Sequence, residues 1–466
     1  METPNTTTLP AVPKKRRFLR VLSCAACVLL VLAAVLWYHW SRPGKTTQFQ
    51  KTAPVEAKEI DPFEAAATVS DSPVFADCWP SWRGYDGRGI APLATPPVEF
   101  GPDKAVLWKT PVAGKGYSSP ILWKDRLFLT TEIDKELFLL CYDTADGEQV
   151  WRTPVGKAQG STHRENGYAS ATPVTDGKHV FSFFGATGLF CHDFDGKEIW
   201  KTDLGNLRQM HGLGASPILY GNLVIQLCDN ASGSFIGAYD KTTGKEVWRT
   251  DRKCGGWTTP VVVSTTAIDG KTRDEMLVNG GCPGFLSQGV FTAYDPATGK
   301  EWWNWPGPVA WGIPTALFSE DKAFVLAGQN GPLAAIRLGG SGDVTTTHLL
   351  WSRTRSSPYV PSGVFYRNRL YVPSDRARID CFNPGTGEPI YEKKVDDTFY
   401  ASLLAAAGRI YAFGRSGKVY VLEVGDARKI LAETDFNETC FASPAAVNNR
   451  LYLRTETTLY CFSEEP

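Results

Sequence analysis

The sequence predicts an all-β protein, an eight-bladed β-propeller of four-stranded blades preceded by one N-terminal transmembrane helix and a tether. Two recurrences and a closure carry that reading. The first recurrence is a polar hairpin ending in tryptophan: YDTADGEQVW to Trp151, DFDGKEIW to Trp200, YDKTTGKEVW to Trp248 and YDPATGKEWW to Trp303. FNPGTGEPIY ends a degenerate copy at Tyr391, GGSGDVTTTHLLW stands before Trp351, and Trp108 comes alone in VLWKTPV. The spacing from Trp108 to Tyr391 runs from 40 to 55 residues, a period that marks a repeat architecture.

The second recurrence keeps the same beat: an aromatic or small residue, small residues, proline, then a β-branched run. It reads YSSPIL at Tyr117, SATPV at Ser170, GASPIL at Gly214, WTTPVVV at Trp257 and WGIPTAL at Trp311. YVPSGVF at Tyr359, YASLLAA at Tyr400 and FASPAAV at Phe441 continue it, which makes eight copies. Each leads into a short strand-like run such as RLFLTT, NLVIQL or RLYLRT, and a third run leads into the hairpin. Four short runs per period, joined by Gly/Asp turns, describe one blade of a radial array. The last blade stops after LYCF at Cys461, while AVLWKTPV has no blade before it. The N-terminal run is therefore expected to supply the outer strand of the last blade and close the ring.

Within YDKTTGKEVW the strand ends at Tyr239, and the Asp240 side chain can accept bonds from nearby backbone NH groups. Gly244 supplies the positive φ of a hairpin turn, and Lys245 and Glu246 begin the returning strand. The copies differ by ordinary drift, so these polar residues read as turn chemistry and Trp248 as a packing residue.

The Asp-x-x-Thr-Gly-Lys-x-x-Trp pattern resembles the repeat of pyrroloquinoline-quinone-like (PQQ-like) propellers, over roughly residues 78–466. That group includes quinoprotein dehydrogenases and the propeller scaffold of outer-membrane protein assembly. CWPSWRGYDGRG, Cys78 to Gly89, is similar to the lead-in of exported propellers of planctomycete-type bacteria. The resemblance implies a fold, with each tryptophan docked on the neighbouring blade, and implies little about function.

Ahead of the propeller, residues 1–20 carry Lys14, Lys15, Arg16, Arg17 and Arg20 against Glu2 alone. Residues 21–40, VLSCAACVLLVLAAVLWYHW, hold no acid, lysine or arginine and are long enough to span a bilayer as a helix. A cleaved signal peptide competes with a single-pass anchor. The length of the run, and the bulky WYHW where a small-x-small site would be needed, favour the anchor. On either reading the remainder is exported, and the basic flank places a cytoplasmic N-terminus on the inner membrane and a periplasmic propeller. Residues 41–77 read as a flexible tether. With 49 basic and 49 acidic residues, no global charge argues for a nucleic-acid partner.

Cys141, Cys191, Cys381 and Cys461 fill one strand slot that is alanine at Ala238 and Ala293, so they read as small buried residues of four blades. A Cys254–Cys282 disulfide stays open. The only Cys-x-x-Cys lies in the apolar run, at Cys24 and Cys27, so no metal site is expected.

Candidate site residues follow from the fold. Innermost strands line the channel, and the loops leading into them share one face. The leading aromatic of the second element, at Tyr117, Trp257, Trp311, Tyr359, Tyr400 and Phe441, predicts an aromatic collar around one mouth. It reads either as repeat packing or as a stacking surface for a planar ligand, a sugar or a partner's side chain. The lead-in loops STHRENGY and RQMHGLG add His163, Arg164, Glu165, Arg208 and His211, and SRTRSSPY adds Arg353 and Arg355. If these converge on the mouth, an anion or a partner loop is the natural ligand.

A quinoprotein dehydrogenase is the alternative, needing PQQ, calcium and an aspartate base. The chain has no vicinal Cys-Cys pair and no CxxCH haem motif; Glu165–Asn166 and Asp229–Asn230 are the acid–amide pairs it offers. The expectation is therefore a non-catalytic binding or scaffold module for a protein or cell-envelope partner, with no catalytic residues and no cofactor.

Overall fold

In a computed structural model, the structure describes residues 77–464, apart from 232, 268, 282–288, 310 and 330. The basic tail, the apolar run, the tether to residue 76 and Cys282 lie outside the described residues. Among the described residues no helix is long and apolar enough to cross a membrane.

Eight sheets follow one another along the chain, each with an antiparallel core of four strands. In blade 5 the short strand Gly342–Asp343 interrupts the run and pairs parallel with Glu301–Gly307 of blade 4. The last blade completes its four with a strand from before blade 1. Blades 1 to 8 begin on the short innermost strands Ile121–Trp123, Val174–Thr175, Ile218–Tyr220, Val261–Thr266, Leu317–Phe318, Val364–Tyr366, Leu404–Ala406 and Ala445–Val447. The eighth takes its outer strand from Val106–Pro111, which pairs antiparallel with Thr458–Phe462, as the unpaired AVLWKTPV run predicts.

The polar hairpins are inter-blade latches. In the blade 3 turn, the Asp240 carboxylate accepts from the Thr242 and Thr243 amides and the Thr243 hydroxyl. Gly244 has φ +68°, and a Cβ there would lie 2.6 Å from the ring of Trp200 on blade 2. Trp200 Nε1 donates to Lys241 O at 2.8 Å, and Thr202 Oγ1 to Gly244 O at 2.7 Å. Trp108, Trp151 and Trp351 donate to the following blade in the same way. Trp303 departs from the pattern. Blade 5 lacks the Asp-x-x-Thr-Gly turn, and the Trp303 indole donates to the buried Glu275 of its own blade at 2.9 Å.

The small slot has a geometric cause. Cys141, Cys191, Ala238, Ala293, Cys381 and Cys461 stand directly opposite Trp151, Trp200, Trp248, Trp303, Tyr391 and Trp108, each beside a β-bulge. A larger side chain would meet the indole. The four cysteines are fully buried free thiols, each pushed up to about 12 by burial, so they are inert as nucleophiles.

A hydrogen-bonded ring joins the inner strands. Ser119, Thr172, Ser216, Thr259, Thr315, Ser362, Ser402 and Ser443 come from the small positions beside the proline slot. Backbone amides donate to the next hydroxyl from 119 to 172, 216 and 259, and from 315 through 362, 402 and 443 back to 119, at 2.9–3.0 Å. The Thr315 hydroxyl, donating to Thr259 O at 2.7 Å, completes the circuit.

The CWPSWRGYDGRG segment crosses between the inner strands of blades 1 and 7. Cys78–Trp79 pairs with the free edge of the blade 1 inner strand, and Ile90–Ala91 with that of blade 7. Between them the buried Arg83 guanidinium donates to Gly87 O, Arg88 O, Ser362 O and Gly363 O. Edge strands that would otherwise present bare amides to the channel are thereby covered.

Candidate functional site: an aromatic mouth bridged by Glu165

The lead-in loops emerge opposite the blade edges, on the same side as the turns between second and third strands. On that face the collar forms as two arcs. One runs His163–His211 (5.2 Å between ring centroids), His211–Trp257 (6.0 Å), Trp257–Trp311 (6.0 Å) and Trp311–Tyr359 (6.3 Å). The other runs Tyr400–Phe441 (5.1 Å) and Phe441–Tyr117 (4.9 Å). All eight side chains belong to half-buried residues, so each keeps part of its surface open to solvent.

Both arcs are joined by the blade 2 lead-in loop. The Asn166 amide donates to His163 O at 2.9 Å, making a tight turn with Arg164 and Glu165 at its tip. Tyr117 Oη donates to Arg164 O at 2.8 Å, and Asn166 Nδ2 to His211 O at 2.7 Å, so the turn is tied to blades 1 and 3. From there Glu165 reaches blade 7: Tyr400 Oη donates to Glu165 Oε2 at 3.1 Å, and Arg415 Nη2 donates to Glu165 Oε1. The Arg415 guanidinium lies over the Tyr400 ring at 4.8 Å and the Phe441 ring at 5.6 Å. The Glu165 side chain is 16% exposed, against 38% for Arg415. Burial, then the Glu165 charge, pushes the Tyr400 phenol up to about 12; Tyr117 and Tyr359 are raised by burial, then by Glu456 and Asp375 respectively, with Glu165 a smaller cause in each. Of the three phenols, Tyr400 alone is bonded to Glu165.

Of the expected residues, Tyr117, His163, Arg164, His211, Trp257, Trp311, Tyr359 and Tyr400 are brought to one mouth. Arg208 and Arg355 are exposed on their loops: Arg208 Nε donates to Asn206 Oδ1 at 3.3 Å, and no hydrogen bond or ion pair among the described residues joins either arginine to the collar. Arg415 has no counterpart in the sequence reading. It sits in the FGRSGK turn between two strands, and only the shared face of the two loop sets points to it.

The model of a family described as outer membrane protein assembly factor BamB, of the PQQ-like repeat type, matches residues 139–306 and 287–455. The chain belongs to this PQQ-like propeller family. It is 24% identical over 418 residues to the outer membrane protein assembly factor BamB of Burkholderia pseudomallei, covering 85% of this chain and 95% of that one. Among solved structures it resembles the quinohemoprotein alcohol dehydrogenase of Comamonas testosteroni, at TM-score 0.62 and 12% identity over 86% of this chain and 84% of the other. BamB of Moraxella catarrhalis matches with TM-score 0.50 and 16% identity, over 72% of this chain and 95% of the other. These structural likenesses carry the fold alone.

Dehydrogenases with this propeller imply a quinone held with calcium, and the acid–amide pairs can be tested for that role. They do not fit it. Glu165 is bound by Arg415 and Tyr400, and Asn166 is turned to His211 O. Asp229 is fully buried against Arg252, whose Nε lies 2.9 Å from Oδ1, and Asn230 Nδ2 donates to Cys228 O. A hard cation needs several free oxygens converging on it, and these carboxylates are already neutralised by arginines in separate blades.

Proposed function

We propose that this PQQ-like propeller is a membrane-anchored, extracytoplasmic binding module that works without chemistry and without a bound quinone. Its aromatic mouth docks a protein or cell-envelope partner. The observation that carries the reading is the half-buried collar at one mouth, with residues 78–91 crossing between the inner strands of blades 1 and 7. Two arcs of partly open aromatic faces suit a docking surface, since aromatic side chains supply large contact area at little entropic cost. The near full-length match to an assembly factor supports a scaffold role. The apolar run at 21–40 supports the anchor, with the propeller on the far side of the inner membrane.

Crosslinking and pull-down from native envelopes tests it. Trp257→Ala with Trp311→Ala should remove the captured partner while the melting temperature of the propeller stays near that of wild type. Partner capture that survives this pair would overturn the collar as the docking surface. A stoichiometric chromophore retained after adding pyrroloquinoline quinone and calcium and desalting would overturn the cofactor-free reading.

A further inference from the structure

We propose that Arg415 and Tyr400 form a carboxylate-recognition site in the mouth, held shut by Glu165, and that its working ligand is an acidic side chain of a partner polypeptide. The inference rests on the docking reading above and gives the partner its chemistry. Glu165 shows what the site takes. Its two oxygens are divided between a guanidinium and a phenol of blade 7, although the glutamate itself belongs to a turn of blade 2. The cradle is built independently of that turn. The Arg415 amide donates to Thr398 O at 2.7 Å, and its carbonyl accepts from the Cys440 amide at 3.2 Å. Its guanidinium is stacked on Tyr400 and Phe441, so the donors stay aimed at the mouth when the glutamate leaves.

Release needs only the Glu165 side chain to swing aside, since the turn itself stays tied to Tyr117 and His211. Arg164 is 83% exposed and His163 43%, and the nearest interactions of these two with the Glu165 carboxylate are 3.7 and 4.0 Å long. Withdrawal of Glu165 uncovers Arg415 in the gap between the two aromatic arcs. An extended acidic segment entering there can lay a carboxylate on Arg415 and Tyr400 while its neighbours meet Trp257, Trp311 and Tyr359. Arg454 adds positive charge on the Tyr117 side of the mouth. It is 1% exposed, donates to Ser118 and Thr130 only through Nη1, and carries no carboxylate partner among the described residues.

Fluorescein-labelled hexaglutamate, read by anisotropy at low salt on the full chain in detergent, is the probe. Hexalysine and hexaglutamine serve as controls, and glutarate at matched carboxylate concentration as competitor. Glu165→Ala should bind hexaglutamate about tenfold tighter than wild type, because the internal competitor is gone and the competent fraction rises. Arg415→Met should lose that gain, and Arg415→Lys should keep part of it, with Tyr400→Phe between them. Retained far-ultraviolet circular dichroism in Arg415→Lys guards against loss of fold. Equal affinity of wild type and Glu165→Ala, or tight binding by Arg415→Met, would overturn the site. Glutarate competing as well as unlabelled hexaglutamate would overturn the polypeptide as its ligand. Envelope capture lost in the Trp257, Trp311 pair but unchanged in both Arg415 variants would sink this inference and leave the docking reading standing.

Discussion

His192 shows how a single repeat position can carry a measurable pH dependence. It fills the slot that is Tyr142, Tyr239 or Tyr294 in blades 1, 3 and 4, immediately after the small residue opposite the tryptophan. The imidazole is fully buried, neither ring nitrogen has a hydrogen-bond partner among the described residues, and burial lowers its pKa to about 4 despite Asp193 beside it. Neutral histidine is what the core accepts, so the unfolded chain takes up the proton first as pH falls. Stability from this residue is therefore whole above about pH 6.5 and drains away as pH drops towards 4. Between pH 7 and 4.5 the loss should be about 2 kcal/mol. Urea unfolding of wild type and His192→Phe at the two pH values checks it. The difference between the proteins should shrink at pH 7 and open at 4.5 in favour of phenylalanine. An identical pH slope in both would show that the imidazole is solvated.

At the scale of the element, Gly244 has two separable duties. Its φ of +68° strains any other residue, and its missing Cβ lets the Trp200 ring lie against the turn. Gly221 separates them, since its φ is +54° but nothing lies within 4 Å of its would-be Cβ. Gly221→Ala should cost about 1 kcal/mol for strain alone. Gly244→Ala should cost roughly 2–3 kcal/mol, since the indole must also retreat. Equal losses in chemical denaturation would remove the close approach from the account. This hairpin was legible in sequence because each duty leaves a residue signature, Asp for the turn amides, Gly for the φ and Trp for the dock. The bridge at the mouth left none. Arg415 lies in a turn with no repeating letter, and Glu165 reaches it from 250 residues away, so their meeting is a product of ring closure. The collar itself was readable because its aromatics keep one position in six of the eight repeats, while Arg208 and Arg355 sit on the same lead-in loops without the convergence.

The propeller behaves as a closed ring if its seam is as firm as its other joints. Blade number, closing strand and the aromatic face all followed from periodicity. The hydroxyl ring and the pairing of residues 78–91 with the inner strands did not, because serine, threonine and a short lead-in have no periodic demand of their own. At the seam between blades 8 and 1, Trp108 is 7% exposed, donates to Thr144 O at 3.0 Å and meets Tyr452 at 6.0 Å. At an ordinary joint Trp200 is 8% exposed and donates to Lys241 O at 2.8 Å, so the two tryptophans are matched in environment. The Ser443 amide donating to Ser119 Oγ at 2.9 Å carries the hydroxyl ring across the seam, and Cys78–Trp79 braces blade 1 from within the channel. Trp108→Ala and Trp200→Ala should therefore each lower stability by about 3–5 kcal/mol through loss of a buried aromatic. Both should unfold in one transition with the same denaturant slope, because a ring held at every joint gives way as a unit. An additional early transition confined to Trp108→Ala would mean that the last blade frays first, and that the chain is a zipped arc whose ends merely touch.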